Sequence, residues 1–285
     1  MYVVSHDVQV KGRGDKIEII PIGDVHVGCV TCDEEYLRNL VRYIKEKENC
    51  YWIGLGDYCE FINVSDPRFR PENLAKWIKT TDLADLAGRQ AKRFLDIVKP
   101  IAPKCLGLAC GNHEEKILKK YERNIYATIV DGVLRDGQFD EGKSLTLGYT
   151  GWILLKVIRG QASRVFVIHV HHGAGGGSLP GGQLNRLARW MWTHHADLVI
   201  MGHCHHTTSH TEVIETINRR NGKLIRKKVK GVFISTLKHS TRERGPSVYS
   251  EVKQLLPKPV GHVKIIIKPD WDGDREISDE IEVII

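Results

Sequence analysis

The sequence predicts a single α/β domain, and three features of the chain support this fold class. Strand and helix signals alternate over the first two thirds of the 285 residues. The last third is richer in strand signals, and no linker-like segment divides the chain. Hydrophobic residues make up 41% and charged residues 27%, which is ordinary for a globular protein and excludes a disordered or collagen-like chain.

Three strands are predicted in the first half of the chain. Residues 16–22, 51–55 and 105–109 are short apolar runs, and each is followed by a glycine and then Asp or Asn. Their length and composition are typical of buried strands. After the first run, apolar residues recur at helical spacing between 37 and 44, and Thr31 to Glu34 fits a capping box for that helix.

Two more helical segments are predicted before the middle of the chain. A helical insertion at about 64–100 begins with a proline-containing connection and continues as a long amphipathic helix, which Pro100 and Pro103 end. A further helix is predicted over residues 117–129, because apolar residues recur there at helical spacing.

The later part of the chain is predicted to be rich in strands. The predicted elements are strands at 152–158, 164–170 and 197–201, a helix at about 183–195, a hairpin around Asn221 and Gly222, and a C-terminal β extension at about 260–285. Asn-Gly between two strand signals is a strong hairpin signature. We assign all of these elements to one domain, residues 1–285.

Composition and hydropathy exclude several classes of protein. No stretch approaches the ~20 apolar residues of a membrane-spanning helix, so no membrane partner is expected. The N-terminus lacks an apolar segment long enough for a signal peptide, which favours a cytoplasmic protein. Seven cysteines are an odd number, and reduced thiols rather than a disulfide framework are expected there.

Positive charge is concentrated in one part of the chain. Residues 201–260 contain 12 Lys or Arg against 4 Asp or Glu, a local excess that exceeds the formal net charge of +7. Seven of these cations lie in the basic hairpin, residues 219–230. Two interpretations stay open: a finger that contacts nucleic acid phosphates, and a charged edge that discourages aggregation between strands.

A glycine-rich segment also has two interpretations. Six of the ten residues at 173–182 are glycine, and their amides are suited to cradle a phosphate. The alternative is a flexible connection to the next helix. The segment lacks the GK[ST] ending of a nucleotide-binding P-loop.

A polar cluster follows five of the predicted strands. The clusters are Asp24 with His26, Asp57, Asn112 with His113, His171 with His172, and His203 with His205. Ligands in α/β sheets bind beyond the carboxyl ends of strands, so the five clusters are expected to converge on one edge. Imidazole nitrogens combined with carboxylate and amide oxygens suit Mn, Fe, Zn or Ni. Seven ligands drawn from these nine side chains are too many for one tetrahedral ion and fit two ions that share a carboxylate.

The motifs at these strand ends resemble those of a known family. GDVHVG, GDYCE, GNHE, a strand leading to HHG, and GHCH occur in the order found in the calcineurin-like metallophosphoesterase superfamily, over about residues 17–240. The resemblance implies a β-sandwich flanked by helices, in four layers (α/β/β/α), with a two-metal centre at its rim. We expect two divalent transition-metal ions, with Mn favoured over Fe, Ni or Zn.

The resemblance also implies a role for each polar residue. The implied ligands are Asp24, His26 and His205 for one metal, Asn112, His172 and His203 for the other, and Asp57 as the bridge between them. His113 is implied as the proton donor that faces the leaving group. The family commonly has an Asp three residues after the bridging Asp. Here Glu60 occupies that position and is expected to orient His113.

One ligand position has an alternative. The family's ligand His often directly precedes a glycine, which selects His172. Neighbouring residues of a strand point to opposite faces, so His171 is the alternative.

The expected reaction is hydrolysis of a phosphodiester. Two cations about 3.5–4 Å apart lower the pKa of a bridging water, and the resulting hydroxide attacks phosphorus while His113 protonates the leaving oxygen. Protein phosphatases of this superfamily carry an Arg soon after the acid, where this chain has Phe61, so a nuclease or phosphodiesterase is favoured over a phosphomonoesterase. The rival class is a non-catalytic scaffold with the same fold, but such relatives tend to lose a ligand or the GNH histidine.

Overall fold

Two six-stranded sheets form the centre of the protein, and the computed structural model describes residues 1–175, 180–242, 249–252, 254, 256–272 and 280–285. The strands are β1 (Tyr2–Gln9), β2 (Ile17–Ile22), β3 (Cys50–Gly54), β4 (Cys105–Ala109), β5 (Thr146–Gly148), β6 (Thr150–Arg159), β7 (Ala162–His171), β8 (Leu198–Met201), β9 (Thr208–Ile217), β10 (Leu224–Phe233), β11 (Lys264–Ile267) and β12 (Ile281–Ile284). The helices are α1 (Glu34–Glu46), α2 (Leu86–Val98), α3 (Asn112–Tyr121), α4 (Ile125–Gly137), α5 (Pro180–Thr193) and α6 (Tyr249–Val252), with 3₁₀ turns at Pro71–Asn73, Thr80–Asp85 and Lys99–Lys104.

Both sheets are mixed. The first has the order β1-β6-β7-β8-β10-β9, and the second has the order β12-β11-β2-β3-β4-β5. Strands β2, β3, β4 and β5 pair in parallel, as do β7, β8 and β10. Parallel strands end at the same edge of a sheet, so the residues that follow β2, β3 and β4 lie next to one another.

The core between the two sheets explains the apolar runs in the sequence. Ile19 of β2 and Ile168 of β7 belong to the same buried cluster, which lies between the sheets. Ile20 and Ile22 point to the other side of β2, where they pack with α1, α2 and α4. Helix α5 covers the outer face of the first sheet through Leu187 and Met191. The expected four layers, helix, sheet, sheet and helix, are therefore confirmed.

Two local predictions about the helices are wrong. Helix α1 is capped by Asp33, whose carboxylate accepts from the Tyr36 amide at 2.9 Å, and not by a box that starts at Thr31. The helix predicted over 117–129 is two helices, α3 and α4, because Glu122 adopts a left-handed conformation (φ 52°) that ends α3. The apolar spacing continues across this break, which is why periodicity alone does not reveal it.

Strand β1 was missed by the sequence prediction although its pattern is present. Val4, His6 and Val8 alternate with exposed residues and face the core, while the strand pairs in parallel with β6. The segment is rich in polar residues for a buried strand, so its alternation is easily overlooked.

The predicted helical insertion and the predicted C-terminal β extension both contain regular elements. The insertion at about 64–100 contains two of the 3₁₀ turns and α2, and the extension at about 260–285 contains β11 and β12. Strand β11 pairs with β2 through Ile265 and Ile19. Residues 176–179 of the glycine-rich segment and 273–279 of the extension lie outside the described residues. Among the described residues, no helix is long and apolar enough to cross a membrane.

Candidate metal centre

The first group of candidate ligands joins the loops after β2 and β8. His26 Nε2 lies 3.3 Å from His205 Nε2, and Asp24 Oδ1 lies 3.3 Å from the same His205 atom. Asp24 is fully buried, and its Oδ1 makes no hydrogen bond within the described part of the chain. A buried carboxylate oxygen aimed at two imidazole nitrogens, without a hydrogen-bond donor, fits a cation between them.

The second group joins the loops after β3, β4, β7 and β8. His172 Nε2 lies 3.1 Å from Asn112 Oδ1 and 3.5 Å from Asp57 Oδ2, and His203 completes a cluster with Asp57 and His172. His172 Nδ1 donates to the Leu55 carbonyl at 2.6 Å, which directs Nε2 at the two side-chain oxygens. The donor set of each group, imidazole with carboxylate and amide oxygen, fits a divalent transition-metal ion.

Burial and close charges shift the pKa values of side chains in the two groups. Burial disfavours the charged form of His172, but the neighbouring Asp57 carboxylate outweighs it and raises the pKa of His172 to about 10. At Asp57 burial favours the neutral acid, yet His113 and His172 hold the pKa of its carboxyl well below the usual value. Burial and the nearby Lys238 lower the pKa of His26 to about 4, which keeps this imidazole neutral as a ligand must be.

His171 is placed apart from the candidate ligands. Its Nδ1 accepts from the Gly173 amide at 2.7 Å, and its ring packs on Trp190 with centroids 4.6 Å apart. Of the two alternatives in the sequence, His172 is therefore the one that lies with Asp57 and His203.

Glu114 holds the loop that carries Asp57. Its buried carboxylate accepts from the amides of Asp57 at 2.9 Å, Tyr58 at 2.8 Å and Gly111 at 2.8 Å. Burial and Asp57 raise the pKa of Glu114 to about 7. The amide of His113, at the start of α3, donates to Asp57 Oδ1 at 2.9 Å. Sequence reasoning missed this role, although Glu114 is the last residue of the GNHE motif.

The turn before α3 requires glycine. A Cβ at Gly111 would lie 2.2 Å from Asp57 Oδ1 and 2.3 Å from the Asp57 amide nitrogen. Any side chain there would displace the carboxylate, because the contacting atoms are part of a buried loop and cannot move away.

Backbone strain is concentrated at the candidate ligands. Asp24, His26, Asp57, His203 and His205 have φ between 49° and 70°. Such left-handed conformations cost on the order of 1–3 kcal/mol each for residues other than glycine and occur preferentially at functional sites. Five of the nine non-glycine residues with positive φ in the described chain are thus candidate ligands.

His113 and Glu60 do not interact as expected. His113 Nδ1 donates to the backbone carbonyl of Glu60, and its ring meets the ring of His26 edge-on, with centroids 4.8 Å apart. The Glu60 carboxylate instead lies 3.0 Å from His26 Nδ1 and 2.8 and 3.0 Å from Lys238 Nζ. The expectation that this carboxylate orients His113 is corrected: the carbonyl of the same residue does so. Lys238 had no sequence signal, because it lies 178 positions from Glu60.

The candidate ligands open into a cavity of about 460 Å³. It is lined by His26, Asp57, Asn112, His113, His203 and His205, together with the cations Arg68, Arg70, Lys238 and Lys258. Arg68 is held by the buried carboxylate of Asp66, at 3.3 Å. An anionic substrate is the kind of ligand that such a lining favours.

The basic hairpin lies away from this cavity. Strand β10 runs parallel to β8, with Phe233 beside Met201, so its carboxyl end lies at the ligand loops. The Asn221–Gly222 turn is at the other end of β10, about 30 Å away at ~3.3 Å per residue. The turn of the basic hairpin therefore lies away from the candidate metal ligands. Arg226 of the hairpin is paired with Glu215, and Lys227 is paired with Asp197.

Comparison with solved structures finds several matches at low sequence identity. A predicted phosphoesterase from Streptococcus pneumoniae is 12% identical, with a TM-score of 0.32, and the alignment covers 89% of this chain and 84% of that one. Vps29 from Entamoeba histolytica complexed with Zn²⁺ is 14% identical, with a TM-score of 0.39 and coverage of 94% and 98%. A single-substitution variant of that Vps29 is 14% identical, with a TM-score of 0.36, and the alignment covers 94% of this chain and 97% of that one. No curated protein matches the chain with significance.

A family model of the calcineurin-like phosphoesterases matches residues 17–207, which is 191 of the 285 residues. This range contains the five ligand motifs, from β2 to the loop after β8. Together with the two groups of His and carboxylate donors, the match supports a metal-dependent phosphoesterase. The chain belongs to the calcineurin-like phosphoesterase family.

Proposed function

We propose that this protein is a phosphodiesterase that works with two divalent transition-metal ions, with Mn²⁺ as the favoured metal. The observation that carries the proposal is the pairing of two ligand groups at one rim, one around Asp24 and one around Asp57, inside a cation-lined cavity. When bound, two such ions supply Lewis acidity and an activated water for attack on phosphorus.

The residues of the proposed site have two roles, metal ligand and proton donor. Asp24, His26 and His205 would hold one ion, Asn112, His172 and His203 the other, and Asp57 would contribute to both. His113 would donate a proton to the leaving oxygen. Its Nδ1 is occupied by the Glu60 carbonyl, so Nε2 is the atom left for proton transfer.

The position after Glu60 supports a diester over a monoester. Phe61 is buried in the apolar core beneath α2, its amide donates to Gln90 Oε1 at 2.8 Å, and it does not line the cavity. No arginine at this position is available to bind the second negative charge of a monoester. The basic hairpin is not part of the proposed substrate site, since its turn lies at the far end of β10.

The test compares two chromogenic substrates. Metal-free protein is supplied with Mn²⁺ or Ni²⁺ and assayed with bis-p-nitrophenyl phosphate and p-nitrophenyl phosphate. We expect kcat/KM to be higher for the diester, and Asp57→Asn to lose both metal occupancy and activity. A higher kcat/KM for the monoester would contradict the diester assignment, and full occupancy and turnover in Asp57→Asn would contradict the ligand assignment.

A further inference from the structure

We infer that Glu60 and Lys238 form a charged pair that positions His26 for metal binding, separately from the proton donor His113. The inference rests on the proposed metal centre, because it assigns a task to residues behind one of its ligands. It gives Glu60 a different role from the one expected from its place in the GDYCE motif.

The contacts of His26 show what the Glu60 carboxylate does. Glu60 Oε2 lies 3.0 Å from His26 Nδ1, in a close electrostatic contact. Nδ1 has no hydrogen-bond partner within the described chain, so the contact does not have hydrogen-bond geometry. A carboxylate can only accept, so its negative charge favours the tautomer with the proton on Nδ1. Nε2 of a neutral ring then has a free lone pair. This atom is the one that lies 3.3 Å from His205 Nε2, where the first ligand group converges. The carboxylate thus selects the tautomer and the ring orientation that a metal ligand requires.

Lys238 supports the carboxylate from the other side. Its ammonium lies 3.0 Å from Oε1 and 2.8 Å from Oε2, and the side chains of Glu60 and Lys238 are 13% and 21% exposed. A carboxylate this deeply buried is costly unless a partner compensates its charge. The ammonium does so and holds both oxygens, which limits the rotation of Glu60.

The backbone around Lys238 is tied to the ligand loop. The Leu237 amide donates to the Asp24 carbonyl at 3.2 Å, and the Thr236 hydroxyl donates to the same oxygen at 2.6 Å. Lys238 itself forms a β-bridge with Cys32. The lysine is therefore held in a constant relation to the loop of Asp24 and His26, as a positioning residue should be.

Glu60 contacts two histidines, one through its backbone carbonyl and one through its side-chain carboxylate. Its backbone carbonyl accepts from His113 Nδ1, while its carboxylate lies 3.0 Å from His26 Nδ1. Substitution of the side chain therefore removes the contact with His26 and leaves the contact with His113. This separation makes the inference testable.

The experiment measures Mn²⁺ binding by calorimetry, starting from metal-free protein. In Glu60→Gln we expect one of the two binding events to weaken by about 10- to 100-fold, the usual effect of losing a partner behind a metal-bound histidine. The other event should change by less than about threefold. Glu280→Gln is the matched control: Glu280 is also a buried glutamate paired with a cation, Arg164, but it does not line the cavity. It should leave both binding events unchanged.

Three further variants separate positioning from folding. In Glu60→Met/Lys238→Met no unpaired charge is left, so thermal unfolding should stay close to wild type. Mn²⁺ binding at the first ligand group should still be weak, because His26 has lost the neighbouring Glu60 carboxylate. The single variant Lys238→Met should weaken Mn²⁺ binding at the first ligand group. Lys238→Arg keeps a cation beside Glu60 and should retain most of the wild-type Mn²⁺ affinity.

The outcomes distinguish this inference from the proposed function. Unchanged Mn²⁺ affinities in both Glu60→Gln and the double variant, in an active wild type, would overturn the inference alone. Selective loss of one binding event, in a wild type that hydrolyses neither diester nor monoester, would support the inference and overturn the function. A wild type that binds no Mn²⁺ would overturn both.

Discussion

The histidines of the centre share one arrangement at the residue scale. In His113 and His172, Nδ1 donates to a backbone carbonyl behind the ring, and in His26 Nδ1 lies 3.0 Å from the Glu60 carboxylate. Nε2 is therefore the atom directed at a metal or at the substrate in each case. The acceptor behind each ring, and not the histidine alone, determines which nitrogen is available.

A residue-scale prediction concerns His113. We expect His113→Asn to bind metal nearly as well as wild type but to hydrolyse diesters about 10²- to 10⁴-fold more slowly, the usual contribution of a positioned proton donor. The loss should shrink for substrates whose leaving groups need no proton. Steady-state kinetics on a series of aryl diesters measures this, and equal losses across the series would remove His113 from the role of proton donor.

A second residue-scale prediction concerns acid stability. Burial and the nearby Lys143 lower the pKa of His6 in β1 to about 4, against about 6.5 in the unfolded chain. The unfolded state therefore binds a proton that the folded state does not, and stability falls as pH drops from about 6.5 towards 4. At pH 4.5 this costs about 2 to 3 kcal/mol relative to pH 7.5.

Denaturant unfolding at pH 7.5 and 4.5 checks this sign. His6→Leu should lose about 2 to 3 kcal/mol less than wild type between the two pH values, because it removes the titrating group. His195→Leu, at an exposed histidine, is the control and should follow wild type. Equal losses in His6→Leu and wild type would contradict the prediction.

At the element scale, the turn between β4 and α3 connects the sheet to the metal centre. Helix α3 begins at Asn112, its first amides face Asp57, and Glu114 in its first turn accepts three amides of the neighbouring loops. Helix α2 acts in a similar way through Gln90, which binds the amide of Phe61. The segment predicted as an insertion thus helps to shape the loop of Glu60.

The element-scale prediction is that Glu114→Gln weakens both folding and metal binding. An amide side chain offers one oxygen for amides that now bind two, so at least one buried N–H loses its acceptor, at a cost of about 1–3 kcal/mol. Asp57 should be less well held, and Mn²⁺ affinity should fall. Glu115→Gln, in the same turn but paired with Lys119 at the surface, is the control. If both variants melt and bind metal like wild type, Glu114 has no such role.

At the scale of the whole molecule, both sheets contribute to the centre. Loops after β2, β3 and β4 of the second sheet meet loops after β7 and β8 of the first, and each ligand group takes residues from both sheets. A metal ion held there joins the two halves of the sandwich. Its binding should therefore stabilise the whole fold and not a single loop.

The prediction at this scale is that metal removal lowers the melting temperature. An ion at about 100 times its Kd stabilises the folded state by about 2.7 kcal/mol if the unfolded chain does not bind it. Differential scanning calorimetry with Mn²⁺ and then with EDTA measures the change. In Asp57→Asn the EDTA effect should largely disappear, and an EDTA effect as large as in wild type would contradict the metal centre.

The fold class, most strand positions and the candidate strand-end ligands follow from the amino-acid sequence alone. Apolar runs such as 105–109 are short and are followed within two residues by glycine, and a polar cluster comes soon after each strand, so local pattern is sufficient to find them. The same pattern did not separate α3 from α4. That boundary depends on the left-handed Glu122, which leaves the apolar spacing unchanged.

The pairing of the polar residues follows from the three-dimensional packing and not from local sequence. The structure shows that His172 and not His171 lies with Asp57, that Glu60 turns to His26 and Lys238, and that the basic hairpin points away from the cavity. These facts depend on contacts between residues up to 178 positions apart and on the direction in which β10 runs. Sequence proximity carries no information on either, because the packing of the two sheets brings these distant segments together.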